Sequence, residues 1–215
     1  IMVDGKPVSF ASPREAHHAG IATVHQELLL FPELTVAENV FLGQTPKTPW
    51  GGVDWTRMRK RAGELLDSLD SHDLDVDARV GSLSVANRQR VEIARALSQE
   101  ARVVIMDEPT ASLAEADVLR LMDIVRRLKK RGVGIVYVSH RMPEIFALAD
   151  RVTVLRDGAH VGTHGIGDVD ETKLVSMMVG RAIDKLYPVK QGQSGETILE
   201  LRDVSYRSVV RNISF

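Results

Sequence analysis

An α/β fold built around a parallel sheet is what this sequence predicts, and three observations predict it. Short, largely apolar runs recur, "IATV" at 21–24, "VVIM" at 103–106 and "IVYV" at 135–138, as in strands buried on both faces. Amphipathic helical repeats separate them, which is what the crossovers of parallel strands require. Each run also ends in polar, chemically capable residues: Gln26, Asp107-Glu108 and Ser139-His140. Sheets of this kind bind ligands at the carboxyl ends of their strands. If the three runs are neighbours and parallel, those residues meet at one edge.

The elements follow in order. "IMVDGKPVSF" reads as two short strands around an Asp4-Gly5 turn. "SPREAHHAG" is a short helix with Ser12 as N-cap, Pro13 at the first position and Gly20 as the stop. After the strand ending at His25-Gln26 the texture changes over residues 33–80. Thr35 and Glu38 form a capping box, and Met58, Ala62, Leu65, Leu66 and Leu69 recur at helical spacing. This is a helical lobe inserted between strands, extending through the helix "LSVANRQRVEIARALSQ" to about residue 98, with Val91, Ala94 and Leu97 on one face. The strand Val103–Met106 leads to a helix from about Leu113 to Arg131, striped by Val118, Leu121, Met122, Val125 and Leu128 and stopped by Gly132. Ile135–Val138 is the third apolar strand. "RVTVLRDGAHVG" is a hairpin turning at Asp157-Gly158, and "TKLVSMMVG" a short helix. A polar linker at 182–197 carries Pro188, Gly192, Ser194 and Gly195, after which strands begin anew at 198–215.

Composition excludes several classes. The 215 residues are 44% apolar, enough for a sizeable core. A net charge of −1 gives no electrostatic case for a nucleic-acid partner. With no cysteine, a disulfide-stapled fold is excluded. No stretch approaches the ~18 consecutive apolar residues of a membrane span, so a soluble chain is the expectation, which leaves docking on a membrane protein open. Arg57, Arg59, Lys60 and Arg61 read as a solvated helix face. His17 and His18 end a short helix, and no metal is assigned to them.

The carboxylate pair Asp107-Glu108 is costly at a strand end unless something cationic sits beside it. Magnesium with nucleotide phosphates suits it: the ion prefers oxygen ligands and keeps several waters, so Asp107 and the amide of Gln26 are candidates to hold it. Successive strand side chains point to opposite faces, which leaves Glu108 to orient or deprotonate an attacking water. His140 is placed to donate to a phosphate oxygen. Taken singly, "DEP" also reads as a solvated strand end before a turn, and His140 as a surface histidine.

Together these residues resemble the ATP-binding domain of an ABC transporter. Gln26 in "VHQELLLFPELTVAENVFLG" is similar to the Q-loop, "LSVANRQRVEIARAL" to the signature, "VVIMDEPT" to the Walker B with its following glutamate, and "YVSHR" to the switch histidine. The match covers residues 1–181. "GIVYVSHRMPEIFALADRVTVLRDG" and "KLVSMMVGR" further resemble the bacterial monosaccharide-import branch, of the ribose, arabinose, xylose and galactose types, which joins two ATP-binding domains in one polypeptide. The resemblance implies a P-loop NTPase-like fold and ATP with Mg2+ as ligands. Glu108 and His140 would be catalytic, Asp107 and Gln26 at the metal, and Gln26, Ser84, Val85, Ala86 and Asn87 at nucleotide. It implies membrane permease subunits as partners, a periplasmic sugar-binding protein acting indirectly, and a second ATP-binding domain beginning at 198–215. The place of work would be the cytoplasmic side of the bacterial inner membrane. The rivals are a soluble ATPase of the same family serving nucleic acids or translation, and a non-catalytic regulatory module.

The departures are specific. The signature usually reads Leu-Ser-Gly-Gly-Gln, where here Ser84 is followed by Val85, Ala86 and Asn87; a methyl at Ala86 tightens the approach of phosphate to the backbone. Ala114 stands where the loop after the Walker B usually carries aspartate. No Gly-x-x-x-x-Gly-Lys-[Ser/Thr] run occurs, and Gly5-Lys6 is followed by proline and valine. The expectation is a chain truncated at both ends, lying between two phosphate loops and containing neither.

Overall fold

The three apolar runs form one sheet in the computed structural model, which describes residues 1–3, 5–180, 199–207 and 210–214. The chain divides into two compact units, residues 1–153 with 163–169, and residues 154–162 with 170–215.

In the first unit, β1 (Met2–Val3) and β2 (Lys6–Pro7) pair antiparallel. The helix α1 (Pro13–His18) starts as its sequence requires: the Ser12 hydroxyl accepts from the Glu15 amide, and Glu15 Oε2 accepts from the Ala11 amide at 2.8 Å. Then come β3 (Ile21–Val24), α2 (Val36–Val40), α3 (Trp55–Ser68), α4 (Val85–Ser98), β4 (Val103–Asp107), α5 (Glu115–Lys130), β5 (Gly134–Val138) and α6 (Met142–Leu148). The strands β3, β4 and β5 are adjacent in that order and parallel, with Ala22 beside Val104 and Ile135, and Val24 beside Met106 and Tyr137.

One face of this sheet is sealed: Ala22, Val24, Val104 and Met106 are at most 3% exposed. The alternate residues Val136 and Val138 stand 49% and 46% exposed, so the expectation of cover on both faces is corrected. An apolar run shows that both faces suit burial, not that both are buried. The sealed face continues into a core formed with Val36, Val40 and Phe41 of the α2 region, Met58, Ala62 and Leu66 of α3, and Leu121, Val125 and Leu128 of α5. Between sheet and lobe runs α4, which packs against α2, α3 and β3. It is buried on more than the single face expected, since Glu92 and Ile93 are sealed together with Val91 and Ala94. A helix wedged between two layers needs apolar or paired residues all round.

Two of the buried polar groups in the lobe are held by several hydrogen bonds each. Asn39, fully buried, accepts from the Phe31 amide at 2.8 Å and donates to the carbonyls of Phe31 and Thr35 at 3.0 Å each, which fixes the segment entering α2. Arg90 of α4 reaches Asp73 in bidentate fashion, Nη1 to Oδ1 at 2.7 Å and Nη2 to Oδ2 at 2.8 Å. The Arg90 hydrogen bonds pull the Asp73 carboxyl down to about 2. A depressed carboxyl stabilises the fold above its unfolded value near 3.9 and loses that contribution as pH falls through the folded value. Thermal stability is therefore expected to decline between pH 4 and 2, with a share from this pair of about 1 kcal/mol or less because water screens exposed pairs. Asp73→Asn should flatten that part of the decline in melting curves taken across the same range; an unchanged slope would remove the pair as its source.

β6 (Arg151–Arg156) and β7 (Ala159–Gly165) pair in a two-stranded sheet, turning as predicted at Asp157 and Gly158, whose φ values of 52° and 75° are both positive as a two-residue hairpin turn demands. In the second unit, α7 (Glu171–Val179) is capped by Asp170, and Arg156 Nη1 donates to the Met177 carbonyl at 2.9 Å. β8 (Val204–Tyr206) and β9 (Val210–Ile213) pair antiparallel. The linker expected at 182–197 lies outside the described residues, as does Asp4 of the first turn.

Candidate active site

Because β3, β4 and β5 are adjacent and parallel, their carboxyl ends set Gln26, Asp107-Glu108 and Ser139-His140 along one edge. Two of these residues are in direct contact. His140 Nδ1 lies 3.0 Å from Glu108 Oε1, with the histidine side chain 66% exposed and the glutamate 32%. The two carboxylates part as strand alternation predicts, with a further device. Glu108 has a φ of 41°, in the left-handed region, while its amide still donates to the Val138 carbonyl at 3.0 Å. A non-glycine residue there costs on the order of 1–3 kcal/mol and persists only where its surroundings hold it. The strand thus ends abruptly at Asp107, and Glu108 is turned toward the end of β5.

Asp107 and Gln26 are both exposed, and among the described residues neither side chain has a protein hydrogen bond or ion pair. Two unengaged oxygen donors at one sheet edge fit a magnesium ion that keeps most of its waters. They do not form a closed protein cage: the described residues contain no group of three or more acidic, histidine or cysteine ligands placed for a metal.

The remaining predicted residues sit at the start of α4, in the lobe. Ser84 is its N-cap, its hydroxyl oxygen accepting from the Asn87 amide at 3.3 Å, which leaves the hydroxyl proton to donate elsewhere. Val85 is 42% exposed and Ala86 is half-buried beside it. The Asn87 side chain is turned to Arg90, whose Nη2 it accepts. So the structure brings Glu108 and His140 into contact, leaves Asp107 at the end of β4 and Gln26 just past β3 unengaged, and keeps residues 84–87 as a separate group. Ala114 proves to be the N-cap of α5, with no side-chain capping bond. An aspartate there would have capped the helix, a difference of about 1 kcal/mol.

Sequence reading passed over the residues connecting these places. Arg95 of α4 donates from Nη1 to the Leu29 carbonyl at 2.7 Å, tying the helix to the segment that follows Gln26. Beside it Glu92, 4% exposed, has its carboxyl pushed up by burial, opposed in part by the charges of Arg95 and His25. A glutamate and an arginine three residues apart in the apolar stretch "VEIARAL" were the available signal. Glu144, buried beneath the strand-end loops, was missed as well.

Three comparisons bear on this arrangement. The ABC transporter family model matches residues 1–111. Ribose import ATP-binding protein RbsA 2 of Rubrobacter xylanophilus is 53% identical over 201 residues, covering 93% of this chain and 38% of that protein. Ribose import ATP-binding protein RbsA of Roseobacter denitrificans is 45% identical over 215 residues, covering all of this chain and 42% of its own length. The chain thus spans about two fifths of the length of these curated relatives. Among solved structures, a nucleotide-free ATP-binding cassette from an ABC transporter superposes with a TM-score of 0.69 at 25% identity, over 82% of this chain and 75% of that one. The sheet whose strand ends carry Asp107, Glu108 and His140 is therefore the sheet of an ATP-binding cassette, and the chain belongs to the ABC transporter family.

Proposed function

We propose that this chain is part of the ATP-hydrolysing, energy-coupling subunit of a sugar importer, of the ribose class that the relatives' names indicate. The observation that carries the reading is the contact of Glu108 with His140 at the carboxyl ends of adjacent parallel strands. Glu108 is the base. It takes a proton from water as the water oxygen bonds to the γ-phosphorus and the bond from that phosphorus to the bridging oxygen of ADP breaks. His140 orients the Glu108 carboxylate and donates to a γ-phosphate oxygen as negative charge gathers there. Asp107 and Gln26 would hold magnesium, which when bound neutralises charge on the phosphates. Residues 84–87 would serve nucleotide held by an opposing ATP-binding domain, with residues 198–215 as the opening of a second such domain in the same polypeptide and 182–197 as the linker.

The chain works on the cytoplasmic side of the bacterial inner membrane, and its partners are membrane permease subunits, with a periplasmic sugar-binding protein acting through them. No described helix is long and apolar enough to cross a membrane. The lobe at 33–80 is the permease contact. It presents Trp50 at 95% exposure and Trp55 at 46%, and Phe31 just before it is 54% exposed. Exposed aromatics of this kind are what a protein interface buries. In an importer reconstituted with its permease and driven by ATP, uptake of labelled ribose is expected, with crosslinks to the permease concentrated in 33–80. Crosslinks confined to 150–180 would refute the coupling assignment, and ATP turnover without uptake of any monosaccharide would refute the importer.

A further inference from the structure

We infer that Glu144 is a positioning residue for hydrolysis: one buried carboxylate grips both strand-end loops and thereby sets the distance between Glu108 and His140. The inference rests on the hydrolytic reading of that pair. Glu144 lies in the first turn of α6 and is 2% exposed. From the loop after β4, the Thr110 hydroxyl lies 2.9 Å from Oε1 and 3.0 Å from Oε2. From the end of β5, the Tyr137 hydroxyl donates to Oε2 at 2.8 Å, the Ser139 hydroxyl reaches the same oxygen at 3.3 Å, and Arg141 Nη1 pairs with Oε1 at 2.8 Å.

The directions of the side chains explain what this achieves. Tyr137 at the end of β5, Ser139 just after it and Arg141 at the N-cap of α6 all turn their side chains to Glu144. His140, at the bend between Ser139 and Arg141, turns instead to Glu108. On the partner loop Thr110 stands two residues beyond Glu108 and is itself 3% exposed. Glu144 therefore holds the chain on either side of His140 and immediately after Glu108, while touching neither. The Tyr137 phenol is kept protonated by its burial and then by the carboxylate beside it, so it acts here as a donor. A buried ion pair contributes little net stability compared with apolar packing of the same shape, whereas its geometry is highly specific. Holding Glu108 in its left-handed conformation needs that kind of anchor.

The test uses an intact ATP-binding protein containing this chain, with Glu144→Gln, which turns an amide NH2 toward groups that are themselves donors, and with Thr110→Val and Tyr137→Phe, which each release one anchor. For Glu144→Gln, kcat for ATP hydrolysis is expected to fall about 10- to 100-fold while KM for ATP stays within about twofold. The 15N resonance of His140 Nδ1 should move to its position in Glu108→Ala, where the contact is gone. Thr110→Val should move both readouts the same way by less. A folded Glu144→Gln with wild-type kcat and an unmoved His140 resonance overturns the inference. So does a parallel loss of kcat and ATP affinity with that resonance unmoved. If Glu144→Gln does not fold, wild-type behaviour of both Thr110→Val and Tyr137→Phe overturns it. Should the unmutated protein hydrolyse no ATP, the hydrolytic reading fails, and the His140 resonance alone decides whether Glu144 sets the pair.

Discussion

Glu108→Gln, placed in an intact ATP-binding protein containing this chain, is expected to lower ATP turnover by about 10²-fold or more while leaving ATP binding within a small factor of wild type. The substitution keeps the side chain's size and an acceptor oxygen for His140, which lies 3.0 Å away, so the local geometry should survive. What it removes is basicity, since an amide does not take a proton from water at neutral pH. Ground-state affinity depends on phosphate contacts that Glu108 does not make, and removing a carboxylate near the phosphates relieves a repulsion. The loss should therefore fall on kcat rather than on KM. Single-turnover hydrolysis and equilibrium nucleotide binding, measured on the same preparation, separate the two. Turnover at the wild-type level would remove Glu108 as the base and leave Asp107 as the nearest candidate.

The strand ends that carry this chemistry were legible because each signal was local. An apolar run, a polar terminus and a helix between runs are read within a few residues, whereas the β3–β4–β5 order depends on long-range pairing and comes from the structure. The Thr35–Glu38 capping box was equally legible, and both of its bonds are present, Glu38 amide to Thr35 Oγ1 at 3.2 Å and Thr35 amide to Glu38 Oε2 at 2.8 Å. What could not be read depends on distant partners. Glu144 looks like an ordinary charge in "MPEIFAL", and only the meeting of the loops after β4 and β5 shows four side chains donating to it. The α6 helix was not among the elements read from sequence; its Pro143 sits in the first turn, where proline is tolerated. The half-open face at Val136 and Val138 has the same cause: composition says what a residue prefers to touch, and tertiary structure decides whether it does.

Residues 1–215 as they stand are expected to show no ATPase activity and no saturable Mg-ATP binding below millimolar concentration by calorimetry. Tight binding in this fold needs backbone N–H groups of a Gly-rich loop around the β-phosphate and a lysine on the β/γ-phosphates. No such run occurs in these residues. Gly5-Lys6 does not substitute for it, because Lys6 and Pro7 form β2 of a short hairpin rather than a loop opening a helix. Each charge-assisted hydrogen bond is worth about 1.5–3 kcal/mol. Without several of them together, a micromolar ligand moves beyond the millimolar range, at about 1.4 kcal/mol per tenfold. Asp107 and Glu108, both acidic, then repel phosphate rather than draw it in. The Glu108–His140 contact persists, but it acts on a nucleotide that other residues must hold. Joining a segment with the Gly-x-x-x-x-Gly-Lys-[Ser/Thr] pattern ahead of Ile1 should restore micromolar binding, and the same graft carrying a Lys→Ala change in its loop should not. A micromolar heat of binding from residues 1–215 alone would mean that the phosphates are held by groups other than a Gly-rich loop, and would sink this prediction.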